Sequence, residues 1–163
     1  MSTLISTDQA RALHLGPAVS KTYSLVTETK DLFTVSGGVV LVTSILGEVT
    51  TAITVANTVK LVANPTPGTS SDLCAATDIG TTDTPAGNLI SITGAPTEDL
   101  ITGIGAVQLF PVGDVSVTVG GARGIYIAAG VIQQVTTGTN PDGVIRWTLT
   151  YVPITTGAAV TAA

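Results

Sequence analysis

In Val144–Pro153, VIRWTLTYVP, Ile145, Trp147, Leu149 and Tyr151 fall on one side of an extended chain, while Arg146, Thr148 and Thr150 fall on the other. A period of two marks a half-buried strand, because successive side chains leave a pleated backbone on opposite faces. Pro153 ends the ladder, since proline has no N–H to donate. The same period recurs from Tyr23 onward, cut into short runs by glycine, proline and asparagine. A chain written this way cannot bury its apolar residues as helices and must pair strands.

The pattern predicts strands over 24–29 and 32–36. Residues 39–45 form a continuous apolar run between Gly37-Gly38 and Gly47, the pattern of a strand covered on both faces. Runs at 51–55 and 58–63 flank Ala56-Asn57 and read as a hairpin, because asparagine tolerates turn conformations. Asn64-Pro65-Thr66-Pro67-Gly68 is a loop. Strands are then expected over 73–79, 88–93, 106–110 and 114–119, and over 125–128 paired with 131–136 across Ala129-Gly130. Thr139-Asn140-Pro141-Asp142-Gly143 carries the strongest turn signal, with proline presetting one corner and glycine accepting positive φ. Turn signals every 8–12 residues predict an all-β, jelly-roll-like β-sandwich over 23–163. No fixed repeat points to a solenoid or propeller. Residues 1–22 read as an extended arm, in which Gly16-Pro17 stops any helical turn begun near Thr7 or Asp8.

Composition narrows the function. Hydrophobic residues make up 44% and charged ones 10%, and 29 threonines outnumber the 6 basic and 11 acidic residues combined. Threonine suits a pleated, half-buried surface. The net charge is −5 and the basic residues are scattered, so no stripe displaces counterions from nucleic acid and none attracts an anionic membrane. The apolar run 37–42, like every other in the sequence, is far too short to span a bilayer, and the first residues show no secretory signal. A surface of hydroxyls and methyls with so few charges suits a protein largely covered by neighbouring chains.

Reactive chemistry is sparse. His14 is the sole histidine and lies in the arm; Cys74 is the sole cysteine, sixty residues away, and reads as a small buried hydrophobe rather than an activated nucleophile. One of each cannot fill a zinc site. Asp72, Asp78 and Asp83, with Asn64 and Asn88, are spaced too loosely for a calcium loop and read as solvated tips. Gly120-Gly121-Ala122-Arg123-Gly124 precedes a predicted strand rather than a helix, so it is a turn and not a phosphate cradle. Trp147, with Leu149, Tyr151 and Cys74, is expected in the core rather than on a sugar-stacking platform. No catalytic, cofactor or metal residues are assigned, and the chain is not expected to be an enzyme.

Asn64-Pro65-Thr66-Pro67-Gly68 through Asp72-Leu73-Cys74-Ala75-Ala76, and Arg146 to Pro153 with Gly157-Ala158-Ala159-Val160-Thr161-Ala162-Ala163, resemble small structural proteins of tailed bacteriophages, closest in kind to capsid decoration, or cement, proteins. The resemblance covers about residues 60–163. It implies a sandwich that binds the outer surface of an assembled virion shell, with the major capsid protein as partner and a dimer or trimer of itself as the binding unit. Candidate interface residues are then Leu4, Ile5, Leu13, His14 and Leu15 in the arm, Arg146 on the outer side of its strand, and Ile154 and Val160 in the apolar tail. A phage tail, baseplate or head-fibre component is the alternative within virions; a carbohydrate-binding or adhesin sandwich is the alternative outside them. Complete burial of Trp147, Tyr126 and Tyr151 would count against the latter.

Overall fold

The computed structural model describes residues 6, 9, 13, 16–103 and 124–163. The strands predicted over 106–110 and 114–119 lie outside the described residues, as do Leu4, Ile5, His14 and Leu15.

Twelve strands are present among the described residues: β1 (Ala18–Ser24), β2 (Thr29–Ser36), β3 (Val40–Thr51), β4 (Asn57–Pro65), β5 (Ser71–Asp72), β6 (Thr77–Asp78), β7 (Leu89–Ser91), β8 (Ile101–Thr102), β9 (Ile125–Ile127), β10 (Gly130–Gly138), β11 (Val144–Pro153) and β12 (Ala159–Ala162). The first sheet runs β1-β11-β3-β7-β8, with β9 also on β3; the second runs β12-β2-β10-β4-β5, with β6 also on β4. Neighbours are antiparallel throughout. β1 pairs with β11 in one sheet and β2 with β10 in the other, so the chain wraps both sheets at once. That nesting of early strands with late ones makes the sandwich a jelly roll.

The wrapping corrects several local expectations. β3 and β4 do not form a hairpin at Ala56-Asn57: residues 52–56 carry the chain from the first sheet to the second. Nor do β9 and β10 pair across Ala129-Gly130, because β9 lies on β3 and β10 lies between β2 and β4. The predicted strand at 24–29 is the turn joining β1 to β2, with Leu25 buried and its N–H bonded to Gly143 O at 3.0 Å. Cys74 sits between the two-residue strands β5 and β6 rather than within one strand over 73–79. Residues 18–22, expected in the arm, belong to β1. At the strongest turn signal, Gly143 takes positive φ as expected (90°), and so does Asn140 (51°).

The core lies between the inner faces. From the first sheet come Ile45 and Val49 of β3 and Ile145, Trp147 and Leu149 of β11; from the second come Phe33, Val59, Leu61 and Ile132, all buried. Burying each large apolar side chain contributes about 1.5–3 kcal/mol. Trp147 fits because its cross-strand partner is Gly47. A Cβ on Gly47 would stand 2.8 Å from Trp147 Cζ3, so only hydrogen leaves room for the indole. Register shifts between Val144 and Ile145 and between Thr150 and Tyr151 keep Ile145 opposite Val49 and Tyr151 opposite Val42.

Candidate interaction surface

Burying Trp147, Leu149 and Tyr151 forces the alternate residues of β11 outward. Arg146 faces Glu48 of β3 in register, and the two form a partly exposed ion pair. Thr148 Oγ1 shares a hydrogen bond with Ser20 Oγ of β1 at 2.9 Å. Thr150 Oγ1 meets Thr43 Oγ1 at 2.9 Å and Ser44 Oγ at 2.7 Å. The outer face of the first sheet is thus a ladder of hydroxyls bonded across strands. Cross-strand pairs of this kind each contribute a fraction of a kcal/mol.

Farther along the same face, Leu41 of β3 pairs with Val152 of β11 on one side and Tyr126 of β9 on the other. Leu41 is covered, but Tyr126 is 66% exposed and Val152 39%. Ile154 follows at 52%, its N–H bonded to Val39 O at 3.0 Å. The outer face of the second sheet is more polar, with Gln133 Nε2 donating to Asp31 Oδ1 at 2.7 Å, Thr58 bonded to Thr137 at 2.7 Å, and Lys60 paired with Asp72 at 3.0 Å.

The candidate interface residues therefore separate. Leu13 is 77% exposed, and Arg146 and Ile154 also face solvent. Val160 does not: it pairs with Val35 in β12 and is 4% exposed, so its side chain is spent on the protein's own core. The tail folds back as the edge strand of the second sheet, which leaves Val160 no face for a neighbour. Ser6 and Gln9 exchange side-chain-to-backbone hydrogen bonds of 3.2 and 2.9 Å, the reciprocal pattern of a helix capping box. Sequence reading placed that cap at Thr7 or Asp8.

Trp147, Leu149 and Cys74 are fully buried and Tyr151 nearly so. Cys74 Sγ accepts the Leu61 N–H at 3.2 Å. Burial pushes the thiol pKa up, against a smaller lowering by that hydrogen bond. Of the three aromatics that test a sugar platform, Trp147 and Tyr151 are inside and Tyr126 is outside.

Among the described residues, no three histidine, cysteine, aspartate or glutamate side chains gather as metal ligands, and no helix is long and apolar enough to cross a membrane. Asp78 instead accepts the N–H groups of Gly80 (3.0 Å) and Thr81 (2.9 Å). The Thr81 side chain and these N–H groups hold its carboxyl below the usual range.

Sequence reading takes Asn57 and Asp142 only as turn residues and does not single out Gln134. Gln134 is wholly buried and its amide joins Trp147 to Thr136. Asn57 is buried and lines a shallow depression. Asp142 clamps residues 54 and 55. The available signal for Gln134 was its phase in 131–136, where it falls on the same face as Ile132 and Thr136.

No protein-family model matches the chain, and no curated protein matches it. A solved structure of infectious bursal disease virus, Gx strain, is 12% identical over 86% of this chain and 38% of that one, at a TM-score of 0.25. That score is too low to indicate a shared fold.

Proposed function

We propose that this chain is a non-enzymatic virion structural protein that binds the outer surface of an assembled bacteriophage capsid and stabilises it. The observation that carries this reading is the outer face of the first sheet. Its hydroxyls bond one another, its Arg146–Glu48 pair cancels its own charge, and Tyr126, Val152 and Ile154 stay exposed beside them. Such a face loses little hydration of charge when another protein covers it. The jelly roll is compatible with this role, although lectins and cupins share it and fold alone does not decide function.

Stabilisation then follows from mass action. A protein that binds the assembled shell and not its separated subunits lowers the free energy of the shell alone. Weak contacts suffice, because symmetry repeats them over one particle. Arg146, Ile154 and Leu13 are the proposed contacts among the described residues, with a dimer or trimer as the binding unit and the major capsid protein as partner.

Co-sedimentation with expanded, assembled shells and with unassembled capsid protein tests the reading. Binding to shells alone, with a higher shell disruption temperature, is expected. Failure to bind shells overturns it, and cryo-EM density on the tail, baseplate or a head fibre assigns the chain to that alternative site.

A further inference from the structure

β1 ends the first sheet: among the described residues no strand lies beyond it. Its pairing with β11 runs from Ala18 opposite Thr150 to Ser24 opposite Val144 without a shift. Just outside that stretch, Tyr151 N–H donates to Pro17 O at 3.2 Å and Leu25 N–H to Gly143 O at 3.0 Å. In an antiparallel ladder the bonded pairs come at every second residue, so Val19, Lys21 and Tyr23 also turn their backbone toward β11. Ala18, Ser20, Thr22 and Ser24 turn theirs outward, are exposed, and have no backbone partner among the described residues. Such a row is a template for another strand. The other strands at the sheet edges, β5, β6, β8, β9 and β12, have two to four residues, whereas β1 has seven, with no proline and no bulge. Short length, proline and bulges are common devices for blunting an edge, and β1 carries none of the three. Its one charge, Lys21, lies on the inner side and acts on register instead.

We propose that β1 is the interface to a second copy of this chain, pairing antiparallel with the partner's β1 about a two-fold axis at Thr22.

Only the outward residues can exchange backbone bonds with a partner strand, so an axis that keeps most of β1 paired falls on Ser20, Lys21 or Thr22. An axis at Lys21 sets two ammonium groups directly opposite in a non-bonded pair, where side chains come closest and like charges are destabilising. An axis at Ser20 sets Lys21 against the partner's Val19. An axis at Thr22 sets it against the partner's Tyr23, whose hydroxyl donates to the Glu28 carboxylate. Lys30 Nζ already lies 5.9 Å from the centre of the Tyr23 ring, so the attraction on Lys21 rests mainly on Glu28. Lys21 Nζ donates to Ala163 O and keeps two further protons for the partner. The two-fold supplies this meeting twice. The same axis sets Thr22 against the partner's Thr22 and Ser20 against the partner's Ser24 on the outer face. Those are hydroxyl pairs of the kind Ser20 already makes with Thr148. The pairing uses the edges of both copies, so it closes as a dimer and does not grow into a fibre. It also joins the two first sheets into one outer face, which carries Arg146, Val152 and Ile154 of each copy on the same side. The inference extends the shell-binding reading by fixing its binding unit, but it rests on the β1 edge and stands without that reading.

Analytical ultracentrifugation of the whole chain, from micromolar to millimolar concentration, is expected to show monomer and dimer and no trimer. Thr22→Pro removes one outward N–H and spares the bonds to β11, so it raises the dimer dissociation constant at least tenfold with the circular dichroism unchanged. Thr22→Cys keeps the test decisive if the proline variant fails to fold. Facing Cα atoms in a bonded pair are about 5.5 Å apart, within disulfide reach, so mild oxidation links two Thr22→Cys chains. Ser20→Cys, also exposed, stays unlinked because the axis sets it opposite Ser24. A chain that stays monomeric, a trimer, a dimer unaffected by Thr22→Pro, or linking through Ser20→Cys in place of Thr22→Cys overturns the proposal. A monomer that co-sediments with shells overturns this inference alone, and a dimer of this kind that fails to bind shells overturns the shell-binding reading alone.

Discussion

Trp147 Nε1 donates to Gln134 Oε1 at 2.7 Å, a hydrogen bond that links the two sheets through the core. The indole N–H can only donate, so it fixes which way the Gln134 amide points, and Nε2 is left to donate to Thr136 Oγ1 at 2.8 Å. Gln134→Leu keeps the volume but strands the indole N–H in the core. The expected loss is about 2 kcal/mol in denaturant unfolding, within the cost of a buried unsatisfied donor. With Trp147→Phe as the second change, the double variant loses less than the sum of the singles, because both break one bond.

Gly47 has ordinary backbone angles, so its need for glycine is purely steric. Gly47→Val drives methyl groups into Trp147 and Ile145, and overpacking of this kind costs about 1–3 kcal/mol. Near-UV circular dichroism of the single tryptophan changes with the loss of stability. Gly87→Ala, where a Cβ meets nothing but φ is 91°, costs stability through backbone strain alone and leaves that signal intact.

Asp142 joins the two connections that cross between the sheets at one end of the sandwich. Its Oδ1 accepts the N–H groups of Thr54 (2.8 Å) and Val55 (2.9 Å), and its Oδ2 accepts Thr54 Oγ1 at 2.6 Å. The Thr54 hydroxyl first, then the two backbone donors, hold the carboxyl below its ordinary value of 3.8. A carboxyl with a depressed folded pKa contributes stability that is full above the ordinary value and is lost as pH falls through the folded one. Asp142→Ala is therefore expected to lower the melting temperature at neutral pH. The gap from the wild type closes in strong acid, as melts across that pH range will show.

Cys74 is buried, its pKa is raised, and its sulfur is occupied by Leu61 N–H. A thiol in that setting is a poor nucleophile. In the native protein a disulfide reagent should react with it only as fast as the surrounding structure opens, and at once in denaturant. Immediate native reaction would contradict the burial.

Strand positions were legible where side-chain period carried them. Ile145, Trp147, Leu149 and Tyr151 face inward as the alternation of 144–153 requires, and the apolar run ahead of Gly47 is covered on both faces at Val40 to Val42. Strand partners were not legible. A turn signal at Ala56-Asn57 or Ala129-Gly130 reports that the chain changes direction, but not whether it returns to the same sheet. In a jelly roll consecutive strands cross from sheet to sheet, so the local hairpin rule fails there for a topological reason. Residues 18–22 escaped notice because Ala18 is small, Ser20, Thr22 and Ser24 are small and polar, and only Val19 and Tyr23 mark an inner face. The burial of Gln134 and Asn57 was not legible because a buried polar side chain has the same letter as an exposed one, and Asn57 was read only as a turn residue. Of the exposed positions that support a docking role, Arg146 was read from strand phase and Ile154 from the apolar tail after Pro153, whereas Val160 of that tail packs into the protein's own core because β12, not foreseen, carries it there.

The pairing of Ala18 with Thr150 sets a timetable for synthesis. Ribosomes add about 5–20 residues per second, so β1 emerges on the order of ten seconds before the strand that completes its sheet. Non-local pairings of this kind also make folding slow once the chain is free. Throughout that interval β1 exposes unpaired backbone in a crowded cell. Its hydroxyl-rich outer side and its single ammonium at Lys21 give other unfolded chains little to adhere to. A strand that looks unremarkable in the finished sandwich is thereby suited to wait for its partner without aggregating.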